Sequence, residues 1–141
     1  MKEKGKYIVG AEESVVANEP LVAYRQPDYF DMANNMIAKD YIKQISKSTK
    51  LTLAELMDIL PISMETYKRK KAFDSNVTEK ILEIEEVYKE GMEAFGERFH
   101  QWMETENIAL GNIKPKILLS NSFGVRRLLD QIGRIKHGIL A

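Results

Sequence analysis

The sequence predicts an all-α protein, and three observations indicate this class. Apolar residues recur at spacings of three and four in several segments after residue 28, which is the period of an amphipathic helix. Helix start signals precede two of these segments: Thr52 lies three residues before Glu55, as in a capping box, and Ser63 is a candidate N-cap shortly after Pro61, which should end the first of the two helices. No segment after residue 28 alternates between apolar and polar residues as a half-buried strand would.

The predicted elements follow from these signals in chain order. Residues 1–28 have weak periodicity, so we expect an N-terminal arm with a short strand at residues 7–9, or else a partly disordered terminus. A helical stripe runs from Tyr29 to Ile45, and residues 46–50 are a polar loop. The remaining predicted elements are two short helices from Leu53 and over Met64–Lys71, a long helix from a Ser75 or Asn76 cap to about Ala94, a break at Gly96, short helices around Trp102 and over Lys116–Ser120, and a final helix from a Ser122 cap to Gly138.

Composition limits the classes of function. The 141 residues, of which 44% are hydrophobic, suffice for one compact domain or two small helical units. The 21 basic and 21 acidic side chains balance, which argues against non-specific coating of nucleic acid or anionic membrane. The chain has no cysteine, which excludes disulfides, thiolate metal sites and cysteine nucleophiles and fits a reducing cytoplasm. No apolar run has the length of a signal peptide or a membrane span, so we expect a cytoplasmic protein without membrane contact.

Residues 51–71 have the layout of a helix-turn-helix, in which a first short helix supports a second one that enters the major groove. Early residues of the second helix would meet base edges, and the cations after them would neutralise phosphates. The alternative is an ordinary helix pair with a solvated basic surface, and the acidic Glu65 and Asp74 favour it. The candidate DNA-binding residues are Ser63, Glu65, Thr66, Lys68, Arg69, Lys70 and Lys71.

The inventory of reactive residues argues against an enzyme. The two histidines, His100 and His137, are far apart in sequence, and no His-x-x-x-His pair is present. The glycines form no phosphate-binding loop, and no serine lies in a Gly-x-Ser-x-Gly setting. We therefore expect no catalytic residue, metal, cofactor or small-molecule substrate. The carboxylates of the long helix are interpreted as its solvated face.

Residues 33–141 resemble the Xre/MbcA/ParS antitoxins, whose Xre-type helix-turn-helix precedes a toxin-binding domain. The helix-turn-helix likeness lies in Leu53-Ala54-Glu55-Leu56 and in Leu60 to Arg69. The C-terminal likeness is more specific because several motifs follow one another in the family's order. These motifs are Ala94-Phe95-Gly96, Trp102-Met103, Asn107-Ile108-Ala109-Leu110-Gly111, Lys114-Pro115, Ile117-Leu118-Leu119, Phe123-Gly124 and Leu128-Leu129-x-x-Ile132-x-x-Ile135-x-His137-Gly138.

The resemblance implies an antitoxin of a type II toxin–antitoxin system. Its domains would be an arm over residues 1–28, an Xre-like domain over residues 29–95 and a toxin-binding domain over residues 96–141. The partner would be a RES-domain toxin that degrades NAD, the chain would form homodimers, and the Xre part would bind operator DNA. The chain departs from the family at Pro61, where many members have glycine, and in its lysine-rich second helix, since lysine lacks the bidentate geometry of arginine.

The last helix is rich in leucine and isoleucine, which indicates either a partner interface or a well-filled core. The basic residues at its end suggest the hypothesis that they enter a pocket of the toxin that normally holds an anionic dinucleotide. Changing Arg134 and Lys136 to Glu would then release toxin activity. A stand-alone transcription regulator, whose C-terminal domain only dimerises, is the alternative function. The candidate toxin-binding residues are Trp102, Phe123, Arg126, Leu129, Arg134, Lys136, His137 and Gly138.

Overall fold

The structure, a computed structural model, describes residues 7–8 and 28–138 and has two compact units divided between Leu82 and Glu83. The predicted all-α class is confirmed, with one small sheet in addition. The predicted short strand is present at Tyr7–Ile8, while Val9 and the rest of the expected arm before residue 28 lie outside the described residues. The predicted domain limits at residues 28 and 95 stay predictions.

The first unit consists of short elements. They are β1 (Tyr7–Ile8), α1 (Tyr29–Met32), β2 (Met36–Ala38), α2 (Lys39–Thr49), α3 (Leu53–Ile59), α4 (Met64–Arg69), β3 (Ala72–Phe73) and the first part of α5 (Ser75–Phe95). The sheet has the order β1-β2-β3: β1 runs parallel to β2, and β2 pairs antiparallel with β3 through Ile37 opposite Phe73. The fully or nearly buried side chains are Ile37, Tyr41, Ile42, Ile45, Leu51, Leu56, Leu60, Tyr67, Phe73, Val77, Ile81 and Leu82.

The prediction of one continuous helix from Tyr29 to Ile45 is wrong. α1 ends at Met32, and a turn leads into β2 before α2 begins at Lys39. Ile37 is fully buried, as the stripe required, but it is held there by strand pairing with Phe73. An apolar stripe identifies the buried positions without distinguishing a strand followed by a helix from a single helix.

The polar segment from Ser46 to Lys50, predicted as a loop, is mostly helical. α2 continues to Thr49, whose hydroxyl donates to the Ile45 carbonyl at 2.6 Å and accepts from the Leu51 amide at 3.2 Å. These bonds satisfy a buried polar side chain at a helix end. The helix ends at Lys50, whose φ of 64° is left-handed.

Helix caps fix the limits of α3 and α4, and the predicted capping box is confirmed. The Thr52 hydroxyl accepts from the Glu55 amide at 3.1 Å, and the Glu55 carboxylate accepts from the Thr52 amide at 2.9 Å. The predicted Ser63 cap is also confirmed, with the Thr66 amide 3.1 Å from its hydroxyl. Pro61 follows the end of α3, as predicted.

The cap of the long helix lies before both predicted candidates, Ser75 and Asn76. Neither Ser75 nor Asn76 caps α5; the Asp74 carboxylate accepts from the Asn76 amide at 3.0 Å and the Val77 amide at 3.4 Å. The carboxylate also favours this position because it meets the positive end of the helix dipole. The predicted break at Gly96 is confirmed: α5 ends at Phe95, and Gly96 has a φ of 68°.

The second unit contains the last part of α5 and two further α-helices, α6 (Phe99–Glu104) and α7 (Ser122–Lys136). Within residues 83–138, 3-10 turns lie at Gly96–Arg98, Ile108–Leu110 and Pro115–Ser120. The last takes the place of the short helix predicted over Lys116–Ser120 and begins one residue earlier, at the proline. α7 is capped by Asn121 instead of Ser122: its side chain accepts from the Gly124 amide at 2.9 Å, while the Ser122 hydroxyl donates to the Glu83 carboxylate. The buried apolar side chains are Ile84, Val87, Tyr88, Phe99, Met103, Leu110, Leu119, Val125, Leu128 and Ile132.

Candidate nucleic-acid and protein-binding surfaces

The candidate DNA-binding segment is the pair α3 and α4, which only Leu60 to Ser63 separate. α4 is six residues long and presents one buried side chain, Tyr67. The ring of Tyr67 stacks on that of Phe73 with centroids 5.7 Å apart and planes 4° apart. Burial raises the pKa of the Tyr67 phenol, and the charge of Asp40 acts in the same direction. Stacking on a strand residue fixes which face of α4 is turned to solvent.

A lysine from α2 also holds α4. The Lys39 ammonium lies 4.7 Å from the centre of the Tyr67 ring, a cation–π contact, and donates to the Lys68 carbonyl at 3.2 Å. The Lys39 amide donates to the Lys71 carbonyl at 2.9 Å. The basic segment after Tyr67 is thereby attached through its main chain, which leaves the Lys68 to Lys71 side chains exposed.

The structure brings most candidate DNA-binding residues onto α4 but not all of them. α4 ends at Arg69, two residues before the predicted end, since Lys70 has extended backbone (φ −102°, ψ 158°) and Lys71 lies in a bend. Lys68 and Arg69 are exposed in the last turn, where cations suit the helix dipole. Ser63 and Thr66 bond to each other at the other end, and the exposed Glu65 lies between them in the first turn.

The second unit is built around an aromatic cluster that contains Trp102. Its ring lies 4.9 Å from Phe95 and 5.6 Å from Phe99, and Phe99 meets Tyr88 edge-on at 5.2 Å. The helices approach closely there because Gly91 has no side chain: a Cβ at that position would lie 2.2 Å from the Phe99 ring. Trp102 is half-buried, and its ring contacts are with Phe95 and Phe99 of this cluster.

The outer face of α7 carries an exposed aromatic–cation pair. Phe123 is 73% exposed, and the Arg126 guanidinium lies 4.8 Å from its ring centre. Ile117, in the turn before α7, is exposed as well, whereas Val125, Leu128 and Ile132 are buried. The apolar residues of this segment therefore divide between a filled core and a partly apolar surface, and Ile139 and Leu140 lie outside the described residues.

The basic residues near the end of α7 are engaged with carboxylates. The Lys136 ammonium donates to Glu90 at 3.0 Å and also to Glu93, both on α5. These bonds lower the pKa of Glu93 and raise the pKa of Lys136. Arg134 donates to Asp130 one helical turn earlier at 3.1 Å, an exposed pair that contributes little stability by itself.

A shallow groove of about 410 Å³ lies along the same helix. Its lining includes the predicted residues Leu129, Arg134 and His137, together with Asp130 and Gly133, which the sequence analysis did not single out. The predicted end of the helix is confirmed: His137 is the C-cap, its amide donates to the Gly133 carbonyl at 3.0 Å, and Gly138 has a φ of 76°. In the sequence, the signal that could have indicated this groove is Gly133, a glycine within the helix beside the charged Asp130 and Arg134.

His100 is half-buried at the edge of the core of the second unit. Its Nε2 atom is 3.9 Å from Glu97, and its ring centre lies 6.0 Å from that of Tyr88. Within residues 28–138 the structure shows no group of three or more His, Asp or Glu side chains that could hold a metal ion. No helix among the described residues is long and apolar enough to cross a membrane.

The second unit thus presents a surface on which exposed aromatic, apolar and charged side chains lie close together. Residues 91–138 match the model of the antitoxin Xre/MbcA/ParS C-terminal toxin-binding domain. A toxin-binding domain implies a toxin as partner. No curated protein matches the chain.

Proposed function

We propose that the chain is the antitoxin of a type II toxin–antitoxin system, which binds and neutralises a partner toxin through its second unit and binds operator DNA through α3 and α4. The observation that carries this proposal is the match of residues 91–138 to a toxin-binding domain. The chain acts by binding in this account, and we assign it no catalytic residue, cofactor or small-molecule substrate. We expect it to act in the cytoplasm, as a homodimer.

The exposed Phe123–Arg126 pair supports the toxin-binding role. Aromatic and arginine side chains supply a large share of the binding energy at protein interfaces, and a pair already in contact loses less side-chain entropy on binding. Packing among the described residues does not require Phe123 to be aromatic, because most of its surface faces solvent. We assign this pair, with Leu129, Arg134 and His137 on the same helix, to the toxin interface.

The partner is, in this proposal, a RES-domain toxin that degrades NAD. The support is the resemblance of the chain to antitoxins of such systems, together with the basic residues at the end of α7. Because Lys136 is held by Glu90 and Glu93, Arg134 and His137 are the better candidates to approach a site for an anionic dinucleotide. The hypothesis that Arg134→Glu with Lys136→Glu releases the toxin stands, with Arg134 as its main contributor.

A growth assay tests the proposal. The reading frame beside this gene is induced with and without the chain, and cellular NAD is followed in parallel. We expect growth arrest and NAD loss that the chain reverses. Phe123→Ser should weaken this rescue, whereas Phe30→Ser, which changes an equally exposed phenylalanine of the first unit, should not. Toxicity that the chain cannot reverse would contradict the proposal.

The DNA-binding part rests on the exposed cations of α4 and the residues after it. Lys68, Arg69, Lys70 and Lys71 are all exposed, while Tyr67 and Lys39 fix the position of the helix. Contacts from such cations to phosphate release counterions, so affinity for a promoter fragment should fall steeply as salt rises. A flat salt response would contradict the assignment.

The second candidate function is a stand-alone transcription regulator, which the same exposed cations favour. In that case the second unit would serve dimerisation alone. Tagged chain expressed with its neighbouring gene distinguishes the two functions: an antitoxin retains the untagged neighbour through purification, and a stand-alone regulator does not.

A further inference from the structure

The α-helices of the second unit contain three glycines, and two of them have a reason inside the molecule. Glycine weakens a helix interior relative to alanine, so each one requires a compensating role. At Gly91 a Cβ would lie 2.2 Å from the Phe99 ring, and at Gly124 it would lie 2.2 Å from the Leu118 carbonyl oxygen. Both positions bring a helix against a neighbour so closely that alanine does not fit.

Gly133 has no such reason within the described part of the chain. A Cβ placed there meets no atom within 4 Å, and the position is interior to α7, which continues to Lys136. Gly133 is not among the residues with left-handed backbone, so no strained conformation requires a glycine. The residue lowers helix stability, and packing among the described residues of the unit gains nothing from it.

Gly133 forms part of the floor of the α7 groove. Leu129 is half-buried beside it, Asp130 and Arg134 bond to each other on one side, and His137 is exposed one turn further along. Arg134 donates to Asp130 through its Nε atom, and the guanidinium carries four further N–H groups that can act as donors. The surface thus combines a position without a side chain at Gly133, where another main chain can approach closely, with the apolar Leu129 and the hydrogen-bond donors of Arg134.

We propose that Gly133 is the point of closest approach of the partner toxin, whose main chain passes over this glycine while an apolar side chain contacts Leu129 and a carboxylate or carbonyl accepts from Arg134. The inference rests on the proposed function and deepens it by naming the contact. The groove lies within the residues that match the toxin-binding domain, which is why we assign it to the toxin and not to a second copy of this chain.

Two substitutions separate stability from binding. Gly133→Ala and Gly133→Gln are made in the full chain, and their affinity for the toxin encoded beside this gene is measured by calorimetry with thermal unfolding of the free chain. We expect the melting temperature of Gly133→Ala to rise by about 2 to 6 °C, because alanine favours the helix. We expect toxin affinity to fall about tenfold for alanine and further for glutamine, because both fill the space that the toxin requires. Ala54→Gln, which adds similar bulk to an exposed position of α3, is the control and should leave toxin affinity unchanged.

The outcomes are distinguishable. Wild-type chain that does not bind the toxin overturns the proposed function itself. Wild-type binding with unchanged affinity in both Gly133 variants overturns this inference and leaves the proposed function intact. Gly133 variants that bind toxin normally but alter self-association in sedimentation velocity assign the groove to a second copy, and they overturn the inference as well.

Discussion

Replacing Gly91 by alanine tests the packing of the second unit, because the gain in helix propensity and the cost of overpacking have opposite signs there. Alanine favours a helix over glycine by about 1 kcal/mol. The new Cβ, however, would lie 2.2 to 2.4 Å from three atoms of the Phe99 ring, where carbon atoms normally stay about 3.5 Å or more apart. The ring would therefore have to move by more than about 1 Å.

The surroundings of Phe99 leave it little space to move. The side chain is fully buried, and its ring centre lies 5.2 to 5.6 Å from those of Tyr88, Phe95 and Trp102. Overpacking in such cores costs about 1–3 kcal/mol, and we expect a value near the upper end here. After the gain in helix propensity, Gly91→Ala should destabilise the chain by about 1–2 kcal/mol.

Urea unfolding followed by tryptophan fluorescence measures this effect. The chain has one tryptophan, Trp102, which stacks on Phe99 and so reports on the cluster that the substitution disturbs. At a typical slope of about 1–3 kcal/mol per molar urea, the midpoint should fall by roughly 0.3 to 2 M. Phe99→Leu gives the new methyl group room, so the double variant should lose less stability than the two single losses added together. An unchanged or higher midpoint for Gly91→Ala would refute the reasoning.

Three further predictions follow from individual contacts. Lys136→Gln removes the bonds that lower the pKa of Glu93 and raise the pKa of the lysine. In the wild type the stabilisation from these bonds is lost as pH falls through the lowered Glu93 pKa, and it is lost again as pH rises through the raised Lys136 pKa. The urea midpoint of the variant, followed by tryptophan fluorescence, should therefore change less with pH and with salt than that of the wild type. Asn121→Ala removes the α7 cap and should cost about 1 kcal/mol in the same urea assay, whereas Asn121→Ser should retain most of the stability. Changing Lys68 and Arg69 together to Gln should weaken promoter binding and reduce the slope of log affinity against log salt by about 2, and an unchanged slope would remove both residues from the phosphate contacts.

Much of the helical fold could be predicted because its signals are local. The Thr52–Glu55 capping box, the Ser63 cap and the breaks at Pro61 and Gly96 each depend on residues within one helical turn, and the structure contains all of them. The caps at Asp74 and Asn121 were placed too late. Each is followed directly by Ser75 or Ser122, and both residue types can cap a helix, so the sequence offered two adjacent candidates.

The small sheet could not be predicted because its pairing is not local. β2 has three residues and pairs with β3 across more than thirty positions of sequence, and neither strand is long enough to show alternation. The burial of Ile37 was predicted correctly. The apolar stripe could not show that Ile37 lies in a strand, because a buried strand residue fits such a pattern as well as a buried helix residue does. The end of α4 at Arg69, two residues before the predicted end, also depends on this pairing, because the chain must become extended there to form β3.

The candidate surfaces were predictable in part. Exposed Phe123 and Arg126 and the basic residues after Tyr67 could be listed from sequence, since charge and family likeness mark them. The engagement of Lys136 by Glu90 and Glu93 could not, because it joins residues more than forty positions apart. The different surroundings of Gly91, Gly124 and Gly133 could not be predicted either, because the sequence does not show which atoms a side chain at a glycine position would contact.

The most direct test of the central claim uses purified proteins. The protein encoded beside this gene, which is the toxin in our proposal, is incubated with NAD, the chain is titrated into the reaction, and the remaining NAD is measured. We predict that NAD loss declines with added chain and stops at a fixed molar ratio, and that Phe123→Ser shifts this titration to higher concentration while Phe30→Ser does not. NAD loss that continues unchanged in excess chain would contradict the account.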